Sequence, residues 1–331
     1  MTTISREELR KLVAGWIAAG KRVIGPVEIK PGLIIFQPLE VAESLHLDGW
    51  ARPANSIKEA VFPRHEVLFR FRVEKNRIEL MDAAQGCAEQ IVVGAHPCDT
   101  AALAILDKVF NWDYADDSYN RRRAATTVIT LACTDHDAEC FCTSVGLDPA
   151  AEKGADAMLF DAGDGFLVRA VTEKGEALFG KGAAGEIQAR QAPERKFDAA
   201  QVRAFARDCF DAPFWQEHAL ACIGCGACAY TCPVCHCFDI VDEKRGAEGF
   251  RARNWDACQF PLFTLHASGH NPRPAQGQRQ RQRLYHKFFV YPEKFGEILC
   301  TGCGNCARNC PAGLGILPLA CEISHAEPVS A

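Results

Sequence analysis

The chain has 331 residues, 48% of them hydrophobic and 24% charged, with a formal net charge of −5. That length carries two domains, each with its own core, and the composition is that of an ordinary globular protein. The negative balance weighs against a dedicated nucleic-acid binder, which needs a basic surface to neutralise phosphates.

The first residues, MTTISREELRKLVAGWIAAG, carry Glu7 and Glu8 and no uninterrupted apolar core, so they do not read as a secretory signal. They predict a helix: Ser5 and Glu8 form a capping box, and Leu9, Leu12, Val13, Trp16 and Ile17 share one face. No segment reaches the roughly 20 apolar residues of a membrane span, and a cytoplasmic protein is expected. In a reducing compartment, 18 cysteines point to metal rather than to a disulfide framework.

Residues 1–205 alternate β-branched runs with helical patterns. VIGPVEI, GLIIF, QIVVGA and TTVITLA read as strands, and AMLFDAGDGFLVRAVTE reads as a hairpin turning at Gly163 to Gly165. Between them Thr100 to Phe110 predicts a helix with Asp99 as its N-cap. The pattern is that of an α/β domain. From Phe197 a further helix gathers Val202, Phe205, Ala206, Cys209 and Phe210 on one face, and strand-like segments then become few.

Residues 206–331 contain an internal repeat. CIGCGACAYTCP, from Cys222, recurs as CTGCGNCARNCP, from Cys300, with glycine on both sides of the second cysteine in each copy. The spacing is the bacterial ferredoxin pattern, in which three thiolates of one run and the last of the other hold a 4Fe-4S cube. It assigns Cys222, Cys225, Cys228 and Cys310 to one cluster, and Cys300, Cys303, Cys306 and Cys232 to the other. Zinc accepts four thiolates from C-x2-C pairs too, but two full runs each ending in Cys-Pro are more specific than that. Cys228, Cys232 and Cys235 also spell the C-x3-C-x2-C of a radical-initiating site, without the βα series of a barrel after it. The 67 residues between Cys232 and Cys300 exceed a compact twin-hairpin ferredoxin and suit an α-helical ferredoxin domain.

A second cysteine set lies in the α/β part. Cys98 follows QIVVGA and Cys133 follows TTVITLA, the strand edge where open α/β sheets place ligands, and Cys140 and Cys142 follow in CFC. The four could hold a third cluster; isolated cysteines are otherwise small buried hydrophobes. Cys87, Cys209 and Cys321 lack such company and read as core or inert.

Five stretches carry a family resemblance: GAHPCDTAALAILDKVF, CTDHDAECFCTS, CIGCGACAYTCPVCHCFDIVD, RARNWDACQF with HASGHNPRP, and CTGCGNCARNCP. Together, from about residue 90 to 312, they resemble the iron-sulfur beta subunit of cytosolic NAD(P)-linked nickel-iron hydrogenases, the sulfhydrogenases. They also look like the corresponding iron-sulfur subunit of anaerobic sulfite reductase, in the same wider family. The resemblance implies an electron-transfer subunit joining a catalytic module to a flavin-bearing, NAD(P)-binding subunit, and it supports a cluster at Cys98, Cys133, Cys140 and Cys142. The partners it implies are hydrogenase small and large subunits, or a sulfite reductase catalytic subunit. The chain itself has no G-x-G-x-x-G after a strand and no phosphate-binding loop, so no flavin or nicotinamide site is expected in it.

Cys235, Cys237 and Cys258 remain. With His286 as a fourth ligand, or His270 as another candidate, they could hold a fourth cluster, because histidine replaces cysteine in some iron-sulfur sites. The bland alternative is packing against the two main clusters, and a third is direct sulfur chemistry at Cys235 or Cys237. PRPAQGQRQRQRLYHK carries Arg273, Arg279, Arg281, Arg283 and Lys287. Such a run reads first as a solvated face, and second as a means to offset cluster charge or dock an acidic partner. Arg121 to Arg123 read likewise as a surface turn, then as a docking patch.

Overall fold

The chain opens with a short edge strand, β1 (Thr2–Ser5), before helix α1 (Arg6–Ala18). The expected capping box forms: Ser5 Oγ accepts from the Glu8 N–H at 3.1 Å, and the Glu8 carboxylate accepts from the Ser5 N–H at 2.8 Å. Leu9 and Val13 are buried, with Leu12, Trp16 and Ile17 packed half-buried beside them. The computed structural model describes residues 2–47, 52–75, 77–82, 87–181 and 191–325.

After α1 come β2 (Arg22–Lys30), β3 (Leu33–Pro38), β4 (His65–Glu74), β5 (Arg77–Asp82) and β6 (Gln90–Ala95). Helices α2 (Pro97–Val109) and α3 (Asp117–Ala125) then lead into β7 (Thr126–Leu131), β8 (Ala157–Asp161), β9 (Gly165–Ala170) and α4 (Glu173–Phe179). Seven of these strands form one sheet in the order β1-β9-β8-β7-β6-β2-β3. Its centre, β2-β6-β7-β8, is parallel, and the flanking pairs are antiparallel. β6 is buried at every position, which is why QIVVGA is a continuous apolar run rather than an alternating one. α2 starts earlier than the sequence suggested. Pro97, with φ preset for a helix, takes the first helical position after His96, and Asp99 falls inside the first turn instead of capping it. Arg121 to Arg123 lie on α3 rather than in a turn; Arg122 pairs with buried Glu66 and Arg123 with Asp107.

The second half holds α5 (Ala199–Asp208), α6 (Phe214–His218), α7 (Ala227–Tyr230), β10 (Phe238–Arg245), β11 (Glu248–Trp255), α8 (Gln276–Tyr285), α9 (Tyr291–Phe295), α10 (Asn305–Arg308) and α11 (Ile316–His325). α5 ends at Asp208, so Cys209 is its C-cap and Phe210 lies beyond. The β10–β11 hairpin departs from the strand-poor expectation. It pairs through β11 with β4, giving an antiparallel sheet in the order β10-β11-β4-β5 whose strands come from both halves of the chain. Alternation in HEVLFRFRVE and FDIVDEKR was its signal in sequence.

A buried ion pair fastens this sheet. Arg253 on β11 donates to Glu66 on β4 at 2.5 Å and also pairs with Asp116, the N-cap of α3. Glu297, just before the second cysteine run, pairs with Lys108 of α2 at 2.5 Å and with Lys153, tying the two halves again. Among the described residues, no helix is long and apolar enough to cross a membrane.

Candidate metal centres

The internal repeat is a repeat in backbone conformation. Gly224 and Gly226 in the first run, and Gly302 and Gly304 in the second, all have φ between 66° and 75°. That left-handed region is strained for any residue with a Cβ, which explains the glycines flanking each second cysteine. Gly226 and Gly304 then cap the one-turn helices α7 and α10, which carry Cys228 and Cys306.

The thiols of the second set converge. Cys300 and Cys303 are each within electrostatic reach of Cys232 and Cys306. In the first set Cys228 is within reach of Cys222, Cys225 is exposed and Cys310 is half-buried. N–H groups aim at these sulfurs. Cys222 Sγ accepts from the Gln276 and Gln280 side chains at 3.1 Å each, Cys310 from the Leu314 N–H at 3.2 Å, and Cys306 from the Ile316 N–H at 3.3 Å. Burial pushes the Cys228 and Cys300 thiols up to about 11. Metal ligation would offset that, because a coordinating thiol is deprotonated outright.

Cys98, Cys133, Cys140 and Cys142 line one pocket at the carboxyl ends of β6 and β7, as the strand positions implied. Its wall also includes Arg52, His136, Gly302 and Cys303, so it abuts the second run directly. Phe141 donates its backbone N–H to the Gly302 carbonyl at 2.9 Å. Arg308 of α10 fastens the same boundary, donating to both Asp137 oxygens at 2.7 and 2.5 Å, to the Cys303 carbonyl at 2.5 Å and to Cys140 Sγ at 3.2 Å. Burial would raise the Asp137 carboxyl, but these bonds hold it down to about 2. Cys133 Sγ lies 3.5 Å from His96 Nδ1.

Of the surplus thiols, Cys237 and Cys258 pair with each other and Cys235 pairs with Cys232; sharing a proton in each pair holds Cys232 and Cys258 below the usual thiol range and Cys235 and Cys237 above it. Cys258 and Cys235 also sit within reach of Arg283. His286 packs its ring edge-on against His236, with centroids 5.4 Å apart, and burial holds it neutral, down to about 3. His270 packs against His266 in an exposed loop. Of the three isolated cysteines, Cys87 is exposed, and Cys209 and Cys321 are half-buried.

Four buried cations stand among these sulfurs. The Arg52 side chain is 6% exposed, Lys58 2%, Arg283 3% and Lys287 3%. Arg52 pairs with Asp99 at 3.3 Å; the other three have no carboxylate partner among the described residues. Arg283 leaves Nε and one terminal nitrogen without any hydrogen-bond acceptor, and Arg52 leaves one. A buried charge without a counter-charge costs several kcal/mol. Among the described residues, the groups positioned to balance Lys58, Arg283 and Lys287 are the surrounding cysteines, once deprotonated by ligation. The donor set therefore fits an anionic thiolate-bound group. It fits a single ion poorly: among the described residues, no three His, Cys, Asp or Glu side chains gather tightly enough to hold one metal ion.

The solvated-face reading of PRPAQGQRQRQRLYHK is thereby corrected. Most of the run is α8, which buries Arg279, Gln280 and Arg283, with Lys287 buried just beyond. Arg279, Arg283 and Lys287 are four residues apart, and this single-face spacing was the available signal. Nothing local marked Arg52, Lys58 or Arg308, whose roles depend on distant segments.

The family model described as a 4Fe-4S dicluster domain matches residues 221–314. Among curated proteins, the chain is similar to the sulfhydrogenase 2 subunit beta of Pyrococcus furiosus: 32% identical over 309 residues, spanning 88% of this chain and 89% of that protein. No solved structure matches.

Proposed function

Because this chain belongs to the sulfhydrogenase beta-subunit family, we propose that it relays electrons between a nickel-iron hydrogenase module and a flavin-bearing, NAD(P)-binding subunit. In its general character it is an iron-sulfur electron-transfer subunit. Bound iron-sulfur clusters accept and release single electrons; the protein's part is to hold them close together, dry and charge-balanced.

The observation that carries this reading is the unbroken sequence of thiol groups. The pocket of Cys98, Cys133, Cys140 and Cys142 shares its wall with Cys303; Cys303 is within reach of Cys232 and Cys306; and Cys306 is within reach of Cys228. On this reading Cys222, Cys225, Cys228 and Cys310 hold one 4Fe-4S cluster, and Cys300, Cys303, Cys306 and Cys232 hold the second, in an α-helical ferredoxin domain of residues 206–331. Cys98, Cys133, Cys140 and Cys142 hold a third in the α/β domain of residues 1–205. Cys235, Cys237 and Cys258 form a fourth site with His286, which, being neutral, has a lone pair for a metal. The complex works in the cytoplasm.

The test is anaerobic purification of the intact complex. A nickel protein and a flavoprotein should accompany the chain, and both hydrogen and reduced nicotinamide should bleach its iron-sulfur absorption. A siroheme protein in place of the nickel protein would move the chain to the sulfite reductase branch.

A further inference from the structure

Among the four buried cations, Lys287 is the one that hydrogen-bonds a thiol of the second cysteine set. Lys287 sits in a π-helical turn, His286–Val290, directly after α8. Wider turns of this kind are uncommon and concentrate at functional positions. Its Nζ donates to Cys232 Sγ at 3.5 Å and to the Leu299 carbonyl at 3.1 Å, and its own carbonyl accepts from the Leu299 N–H at 3.0 Å. Leu299 precedes Cys300, and Cys232 is the last thiol of the first run. Lys287 therefore grips both chain segments that supply the second ligand set.

In the first set the hydrogen bonds to sulfur come from neutral groups, and the buried cation there, Arg283, faces Cys228 without a hydrogen bond to it. There Cys222 accepts from two neutral amides, those of Gln276 and Gln280. An ammonium differs from an amide in carrying a full charge through a charge-assisted bond. One-electron reduction adds a negative charge to a thiolate-bound cluster, so a fixed buried cation stabilises the reduced form more than the oxidised one.

We propose that Lys287 is a positioning residue that raises the reduction potential of the cluster held by Cys300, Cys303, Cys306 and Cys232. This rests on the reading that those four thiols hold a cluster. Lys287 hydrogen-bonds Cys232 and only faces Cys235 and Cys258, so its effect falls chiefly on that cluster.

The experiment is a redox titration of the full chain, with dithionite supplying the electrons and electron paramagnetic resonance following each cluster. Wild type is compared with K287M, K287Q and K287R, with iron and sulfide counted in each. In K287M one midpoint should move to more negative potential by at least about tenfold in the reduction equilibrium, about 59 mV for one electron. The other midpoints should move far less, K287Q should behave like K287M, and K287R should recover most of the shift. Unchanged midpoints with iron retained, or equal shifts in every cluster, would overturn the proposal. Loss of that cluster in both neutral variants would make Lys287 a structural clamp and overturn it as well. A wild type lacking the cluster would instead defeat the ligand assignment beneath it.

Discussion

The backbone N–H of Phe141 donates to the carbonyl of Gly302 at 2.9 Å, joining the CFC segment to the tight turn of the second cysteine run. Two cysteine segments far apart in sequence thus share one wall. A side chain at Gly302 would meet the Cys142 backbone at 2.4 Å, which leaves no room for relaxation.

Gly302→Ala is therefore expected to be far more damaging than Gly313→Ala. Both glycines have positive φ, 66° and 67°, but a Cβ at Gly313 meets nothing within 4 Å. The shared strain is about 1–2 kcal/mol, and the clash at Gly302 adds at least about 2 kcal/mol more. Thermal midpoints of the two anaerobically purified variants check the difference. Equal losses would show that the contact with Cys142 is unimportant.

Glu297 gives a pH-dependent contact between the halves. Burial pushes its carboxyl up, but hydrogen bonds from Lys108 and Lys153 outweigh this and hold it below the usual carboxylate value. A lowered folded-state pKa gives stability that is present above the unfolded value, about 4.3, and lost as pH falls through the folded value. Because both lysines are about two-fifths exposed, solvent screening limits the contribution to about 1 kcal/mol. Glu297→Gln should be less stable than wild type at pH 7 and indistinguishable from it in strong acid. A gap that persists or widens in acid would contradict this origin.

Arg52 and Asp99 are a buried pair with unequal alternatives. Arg52 also faces Cys98, Cys133 and Cys303, whereas Asp99 has Arg52 as its nearest strong cation. In the iron-loaded chain, Arg52→Met should cost about 3 kcal/mol, because it strands a buried carboxylate. Asp99→Asn should cost clearly less, since thiolates still balance Arg52. Chemical denaturation of both variants decides it, and a larger loss for Asp99→Asn would mean that the thiols near Arg52 carry no negative charge.

The surplus cysteines yield a direct count. Cys237→Ser with Cys258→Ser should remove about four iron atoms per chain if they ligate a cube, while leaving the ferredoxin signals intact. No change in iron would return these residues to a packing role.

What the sequence showed and what it hid divide along a physical line. The paired runs were legible because a tight turn around a cluster constrains local spacing and demands glycine at Gly224, Gly226, Gly302 and Gly304. Cys98 and Cys133 were legible because the ends of β6 and β7 follow from apolar periodicity. Lys58 was not: it rises from a 3-10 turn, Ile57–Ala60, to donate to the carbonyls of Ala229 and Cys235, more than 170 positions away. The burial of Arg283 and Lys287 was hidden because charge in sequence suggests solvent, and the sulfurs and carbonyls that meet them lie on other segments. The β4–β11 pairing was hidden for the same reason, since a strand's partner is a nonlocal choice.

Iron and acid-labile sulfide counted per full-length chain after anaerobic purification test the central claim, that this subunit carries clusters beyond the pair its repeat declares. The account predicts at least about twelve of each, rising to about sixteen if the Cys235, Cys237 and Cys258 site is also filled with a cube. About eight of each would contradict it, leaving the pocket of Cys98, Cys133, Cys140 and Cys142 without a cluster.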